Sequence, residues 1–249
     1  MAHPFGSSPP EHPDEVLVHD IEEECAYIPG ETSRLPLRLQ LNPHPNRLDS
    51  LMDLGHRRVG PMMYTTACPR CDACTPVRVP IADFKPSRSQ RRIWRRNQDL
   101  RVLDGRPRVC EQRLDIFNRH RVERGLASDT LDADGFSSWL VQSWTRTREL
   151  SFWLEDKLIG FMILDVGTRT ASAVYTAFDP DEHRRSLGVH AVLIGIEWAR
   201  RMQVVDFHLG LLVHGNQHLE YKTGFLPQER LLQGEWKRFE KESSCPSNG

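Results

Sequence analysis

From Leu150 to Phe178 the chain reads LSFWL, EDK, LIGFMILDV, GTR, TASAVYTAF. Three runs rich in aliphatic and aromatic residues, parted by three-residue polar breaks, predict an antiparallel meander. Its strands are expected over Leu150–Leu154, Leu158–Val166 and Thr170–Phe178. Beyond Phe178, the loop Asp179–Arg185 leads into a helix over Ser186–Met202, apolar at Leu187, Val192, Leu193, Ile196 and Ala199. A buried strand over Val204–Leu209, a short helix over Gln217–Thr223 and a last strand over Glu229–Leu232 complete this half. Before the meander, the spacing predicts helices over Cys110–Arg124, stopped by Gly125, and over Gly135–Thr145.

The first third is rich in Pro and Arg and shows less periodicity. Arg34–Leu41 (RLPLRLQL) reads as a strand that Pro36 confines to an edge, and Val77–Ile81 as a second extended piece. Ser87–Asp99 reads as a helix with Ser87 as its cap. The turn cluster Asp104-Gly105-Arg106-Pro107 suggests a boundary. The organisation expected is α+β: a tail over 1–13, a Cys-rich and basic module over 14–104, a second domain over 105–239, and a tail over 240–249.

A length of 249 residues with 39% apolar and 27% charged residues describes an ordinary folded protein. No uncharged stretch approaches the roughly 18–20 residues of a membrane helix. The first 30 residues hold no Lys or Arg, so the charged start of a secretory signal is missing and a cytoplasmic protein is expected. The net charge of −1 conceals an asymmetry: −7 over residues 1–30, +9 over 31–110 and −3 over the rest. The middle segment therefore suits a polyanion. Arginine outnumbers lysine 28 to 5, and its fork geometry matches phosphate.

Two constellations carry chemistry. Cys68-Pro-Arg-Cys71-Asp-Ala-Cys74 sets three thiols at C-x2-C-x2-C spacing, and Cys25 is a candidate fourth. In a reducing compartment these are either plain thiols or ligands of zinc or an iron–sulfur cluster, which spacing does not separate. From Lys85 to Arg101 seven cations stand against one acid, Asp99. On a helix Arg88, Arg91, Arg92, Arg95 and Arg96 follow i, i+3, i+4, i+7, i+8 and share a face. Such crowding is relieved by a polyanion, so this face is the candidate phosphate surface. Trp94 on the same helix either stacks on a base or packs into the core. A third site is the helix start at Ser186-Leu187-Gly188, where free N–H groups follow Arg184 and Arg185 and make an anion site.

Two helices, a three-stranded meander, a basic turn, a helix and a strand resemble the GNAT acyltransferase fold, which holds an anionic acyl carrier at that turn. The segments CAYIP (25–29), YTTACPRCDACTPVRV (64–79), FKPSRSQRRIWRRNQDL (84–100), DPDEHRRSLG (179–188), YKTGFLP (221–227) and GEW (234–236) resemble the arginyl-tRNA–protein transferase family. Lacking a long insert, the chain is similar to the short bacterial branch of that family, the aspartate/glutamate leucyltransferases. The resemblance covers roughly residues 14–236.

It implies transfer of leucine, less readily arginine, from aminoacyl-tRNA to proteins with an N-terminal Asp or Glu, marking them for N-end-rule degradation. The partners implied are aminoacyl-tRNA and those proteins, with no DNA or membrane. A tRNA ester is already activated, so no cofactor is required for the chemistry, and no phosphate-loop motif is found. The substrate's α-amine, with an unperturbed pKa of about 7.7–8, is its own nucleophile. Positioning and oxyanion stabilisation then carry the catalysis. The arginine face, Arg184, Arg185, Ser186 and Lys222 are expected to hold tRNA; Asp179 or Glu220 to take the amine's proton; Tyr221 to orient the leaving ribose. An N-terminal acid needs a cation, for which Arg184 and Arg185 are the nearest candidates.

The donor segment departs from the family pattern: Gly210-Leu211-Leu212-Val213-His214-Gly215-Asn216 replaces an aromatic-rich stretch, and Val189-His190 a small polar and aromatic pair. The segment holds no acid to pair an arginyl group, while Asp206 sits on a strand of alternating faces and can point elsewhere. Two alternatives follow. One is a non-catalytic RNA-binding or iron–sulfur sensor protein. The other is a CoA-dependent GNAT acetyltransferase, whose glycine loop is only partly matched at Arg184–His190.

Overall fold

The computed structural model describes residues 14–240; the tails expected over 1–13 and beyond 240, with Cys245, lie outside the described residues. Strands β1 (Glu15–His19), β2 (Glu22–Glu24), β3 (Thr32–Arg34) and β4 (Leu37–Gln40) precede helix α1 (Pro45–Asp53) and strands β5 (Arg57–Val59) and β6 (Met62–Tyr64). Four of these form a sheet in the order β1-β4-β6-β5, while β2 and β3 pair with each other. Pro36 does not make β4 an edge strand: it lies one residue ahead of it, where no ladder N–H is needed, and β4 is flanked by β1 and β6.

Next come β7 (Thr75–Pro80), α2 (Arg88–Arg96), β8 (Leu100–Gly105), α3 (Glu111–Glu123) and α4 (Ala133–Phe136), which runs on as a π turn over Ser137–Val141. The meander is β9 (Arg146–Leu154), β10 (Lys157–Val166) and β11 (Thr170–Phe178), followed by a 3-10 turn (Pro180–Arg185) and α5 (Leu187–Arg201). After β12 (Asp206–Leu212) come a 3-10 turn (Glu220–Gly224), β13 (Gln228–Leu232) and β14 (Glu235–Phe239). The helix expected over Gly135–Thr145 is thus shorter, because the chain turns extended at Gln142 and enters β9 at Arg146.

One eight-stranded sheet, β14-β13-β7-β12-β11-β10-β9-β8, runs through the molecule. It is antiparallel except between β11 and β12. Because β7 and β8 belong to it, the boundary expected near residue 104 is not a domain boundary. Residues 75–105 pair with the later strands instead of closing a separate module.

Helices cover both faces. On one, Leu187, Ala191, Val192, Ile196 and Ala199 of α5 join the core with Met162, Leu164 and Phe207. Gly195 lets α5 lie close, since a Cβ there would come 2.5 Å from the Phe207 ring. On the other face Ile116 and Phe117 of α3, with Phe136 and Leu140, bury Phe161, Ile163 and Ala177. Each fully buried large side chain contributes about 1.5–3 kcal/mol of transfer free energy. The four-stranded sheet and α1 are fastened to this scaffold by buried polar groups. Arg58 Nε meets Asp165 Oδ2 at 2.5 Å, and Asp49 Oδ1 accepts from the N–H and hydroxyl of Thr170 at 3.0 and 2.7 Å.

Candidate active site

β11 and β12 are parallel for three residues only, Thr170–Ser172 opposite Asp206–His208, although β11 continues to Phe178 and β12 to Leu212. Beyond that point the strands part, and the backbone groups they would have shared need other partners. Arg57 of β5 supplies one on one side, donating from Nη2 to the Ala173 carbonyl at 2.6 Å, while its Nη1 donates to the Ser172 side-chain hydroxyl at 2.9 Å. Lys222 supplies the other, donating from Nζ to the Leu211 carbonyl at 2.5 Å. Between them lies Gly210, at φ +91°, where the register of β12 on β7 shifts. A Cβ on Gly210 would sit 3.1 Å from Arg57 Nη2 and 3.5 Å from Lys222 Nζ, so the bare glycine is what admits both cations.

Both cations are buried, and neither has a carboxylate in its ion pairs or hydrogen bonds among the described residues. Burial first, then repulsion from Arg57, pulls the Lys222 ammonium down to about 7. Burial likewise lowers Arg57, opposed by the Tyr64 hydroxyl, the nearby Asp165 carboxylate and the Tyr27 hydroxyl. Buried cations with no carboxylate bonded directly to them suit an incoming anion. The sequence analysis expected Lys222 to hold the tRNA, not to stand buried beside Arg57, and it missed Arg57 altogether. Its only trace was the pair Arg57-Arg58 in a short strand, and its partners lie 115 and 116 residues away in sequence.

Beside this cleft the cysteines gather. Burial first, then Cys68, Cys25 and Cys71, push the Cys74 thiol up to about 12, so the four are electrostatic neighbours. Cys25, Cys68, Cys71 and Cys74 are free thiols. Among the described residues no three ligating side chains stand in a metal-holding group.

The basic helix forms as expected. Ser87 caps α2, its hydroxyl accepting from Gln90 N while Gln90 Oε1 accepts from Ser87 N. Arg88, Arg91, Arg92, Arg95 and Arg96 are all exposed. The helix end is tied to the turn before α5: Arg96 Nη1 donates to the Arg184 carbonyl at 2.5 Å, and Asn97 Nδ2 to the Arg185 carbonyl at 2.9 Å. The structure therefore joins two sites the sequence left 88 residues apart. Arg184 is exposed and Ser186 adopts φ +55° ahead of α5 without making a side-chain cap.

Two expected roles change. Arg185 is occupied, bidentate to Asp99 at 2.9 and 2.9 Å and bonded to Glu182 at 2.8 Å, so it clamps the turn instead of offering an open charge. Asp179 is buried and accepts from Lys157 at 2.8 Å, Arg119 at 3.0 Å and Asp181 N at 3.1 Å. Burial raises its pKa, but these donors outweigh that and hold it below the usual range, the opposite of what a proton acceptor needs. It anchors the 3-10 turn. Asp206 points away from the cleft, with Arg78 at 3.5 Å and Arg169 at 3.6 Å. Glu220 and Tyr221 stay exposed beside Lys222, Glu220 lying 3.7 Å from His214 and Tyr221 edge-on to Phe225. Opposite them Arg124 donates to His120 and His218 at 2.9 and 3.1 Å and lies over Phe178, a cluster the sequence analysis did not find.

A meander whose last strand parts from the strand after the central helix, with an anion-ready turn at that helix, is the plan of a GNAT-type acyltransferase. Here the parted strands are met by buried cations, and the turn by an arginine-rich helix. Residues 23–92 and 112–232 match the models of the arginine-tRNA-protein transferase N terminus and C terminus, and the chain belongs to that family. It is 35% identical over 229 residues to an aspartate/glutamate leucyltransferase of Acinetobacter baumannii, covering 89% of this chain and 83% of that one. A protein of the same name from Stenotrophomonas maltophilia is 36% identical over 234 residues, covering 89% and 92%. Among solved structures, a tandem GNAT protein from the clavulanic acid pathway superposes with a TM-score of 0.41 at 14% identity, over 87% of this chain and 61% of that one. FemX superposes with a TM-score of 0.41 at 12% identity, over 66% and 59%. No helix among the described residues is long and apolar enough to cross a membrane.

Proposed function

We propose that the protein transfers leucine from leucyl-tRNA to the N-terminal Asp or Glu of proteins, in the cytoplasm, as a step toward N-end-rule degradation. The observation that carries this is the cleft between β11 and β12, where Arg57 and Lys222 are buried without a carboxylate partner. An N-terminal aspartyl or glutamyl side chain entering there supplies the missing anion. Its α-amine is then held near the strand end, where the aminoacyl ester arrives.

The nitrogen attacks the ester carbonyl carbon, the bond to the ribose oxygen breaks, and an amide forms. The amine's proton goes to Glu220 at the rim, and the ribose oxygen takes up a proton as it leaves, with Tyr221 orienting the sugar. The exposed arginines of α2, with Arg184, Ser186 and the first N–H groups of α5, hold the tRNA phosphates. The absence of any acid from Leu209 to Val213, with Asp206 paired elsewhere, supports an apolar donor over arginine.

Cys25, Cys68, Cys71 and Cys74 are the all-sulfur donor types that zinc or an iron–sulfur cluster takes, and the C-x2-C-x2-C spacing is what supports that reading, although among the described residues the four thiols do not stand in a metal-holding group. A metal there would brace the cleft wall and enter no step of the transfer. Metal analysis of anaerobically purified protein should find metal in the wild type and none in Cys71→Ser. Equal, trace content in both would return these residues to plain thiols.

For the transfer itself, peptides beginning Asp, Glu or Asn are incubated with leucyl-tRNA. Transfer to the two acids and not to Asn, reduced at least 100-fold in Arg57→Met, is expected. Equal use of all three peptides would remove the cations from acceptor recognition.

A further inference from the structure

Across the cleft rim from Glu220 and Tyr221, the half-buried Arg124 at the end of α3 has no carboxylate partner among the described residues. The acid beside it in sequence, Glu123, pairs with Arg119. Arg124 instead donates from Nη1 to His120 Nε2 at 2.9 Å and from Nη2 to His218 Nδ1 at 3.1 Å, and it lies 5.0 Å over the Phe178 ring. A guanidinium has donors only, so each imidazole turns a lone pair toward it and is neutral. Burial acts the same way, pulling His120 down to about 3 and lowering His218. The two histidines therefore orient the guanidinium without cancelling its charge. They use two of its five N–H groups, and its Nε is not among the atoms sealed from solvent.

The surroundings of this cation add donors and no acid. The Tyr221 and Tyr175 phenols are its electrostatic neighbours. His120 packs edge-on to Tyr175 at 6.1 Å and to Phe178 at 4.5 Å, which sets Tyr175 beside the same guanidinium. Tyr175 lies on β11 beyond Ser172, where that strand has left β12. Phe178 joins this group to the start of α5, since a Cβ on Gly188 would sit 3.5 Å from its ring. The turn before α5 is in turn tied to the arginine helix through the Arg184 carbonyl. The cations thus form a line from α2, past Arg184 and the first N–H groups of α5, to Arg124 beside Tyr221. A guanidinium with free N–H groups and a phenol next to it, at the end of a phosphate track, matches the two free oxygens of a phosphodiester.

We propose that Arg124 holds the last internucleotide phosphate of the RNA donor, with the Tyr175 hydroxyl as a second donor, leaving Tyr221 to the ribose that follows. This deepens the tRNA-dependent reading above and rests on it. The acidic side chain of the acceptor already has Arg57 and Lys222. The phosphate one nucleotide before the ester is the one nearest the reacting carbon, so fixing it fixes the ester against the amine.

The test uses the full chain and deacylated leucine tRNA, intact or with a methylphosphonate at its last linkage, which removes that single charge. The wild type is expected to bind the modified RNA about tenfold more weakly, with the slope of log affinity against log salt shallower by about one. Arg124→Gln is expected to bind intact tRNA about tenfold more weakly and to lose nothing further on modification. Equal binding of the two RNAs by the wild type, an arm that needs no variant to fold, would overturn the proposal. A methylphosphonate penalty that persists in Arg124→Gln would also overturn it, because another group then holds that phosphate. So would unchanged tRNA affinity with a raised KM for the Asp-started peptide, which would give Arg124 to the acceptor. In all three cases leucyl transfer by the wild type leaves the function standing, whereas a wild type that binds no tRNA would overturn both readings.

Discussion

Lys222 shows how the cleft trades stability for function. Its ammonium titrates near 7 when folded, against an ordinary value of 10.5. The unfolded chain therefore binds more protons between those values, and wild-type stability rises with pH across that window. Below about pH 7 the full cost of burial is present. Lys222→Met should accordingly stabilise the protein by up to about 4 kcal/mol at pH 6, with the gain fading toward pH 10.5, while transfer to an Asp-started peptide is lost. Denaturant unfolding at several pH values reads the first, and a transfer assay the second. A destabilised Lys222→Met variant at pH 6 would mean the amine is better paired than its surroundings indicate.

Asp179 runs the other way. Its folded value is depressed, so its contribution is present above the ordinary carboxylate range and lost as pH falls through the folded value. Asp179→Asn should cost about 2–3 kcal/mol at pH 7, below the range for a buried pair because Lys157 and Arg119 are partly exposed. The turnover of the fraction that remains folded should change little. A large loss of turnover at unchanged stability would restore Asp179 to the chemistry.

Among the elements, α2 was read from sequence nearly to its ends, because cap, arginine spacing and helix are local to one another. The meander was read for the same reason, its hairpins joining neighbours in sequence. What the sequence did not disclose are the pairings made across long loops. β7 inserts between β12 and β13, and β8 docks on β9, although Thr75–Gly105 lies well before those strands. A turn-rich stretch near residue 104 looked like a boundary only because turn chemistry is local and sheet membership is not. The exposed arginines of α2 repel one another and pack little, so Arg91→Ala with Arg92→Ala should leave thermal stability within about 0.5 kcal/mol of wild type. The slope of log tRNA affinity against log salt should become shallower by about one or two. An unchanged slope in the folded double variant would remove this helix from tRNA binding.

Across the whole molecule, the same logic explains which parts of the site were legible. Motif residues announce themselves: the cysteines by spacing, the basic turn by its place before a helix, Lys222 by its conspicuous YKTGFLP setting. Arg57 carries no such mark, since what makes it a candidate is its place where β11 parts from β12, beside the bare Cα of Gly210. Likewise Arg185 looked like an open cation until the fold brought Asp99 against it. Long-range packing decides which charges are spent on structure and which are left for a substrate.

In the proposed reaction an activated leucyl ester on tRNA is carried to an acidic N-terminus held between β11 and β12. Competition among leucyl-tRNA, arginyl-tRNA and acetyl-CoA for one Asp-started peptide, read by mass spectrometry of the product, tests it most directly. Addition of leucine alone, or in large excess over arginine, with no acetylation, is the predicted result. Acetylation, or arginine added in preference to leucine, would contradict it.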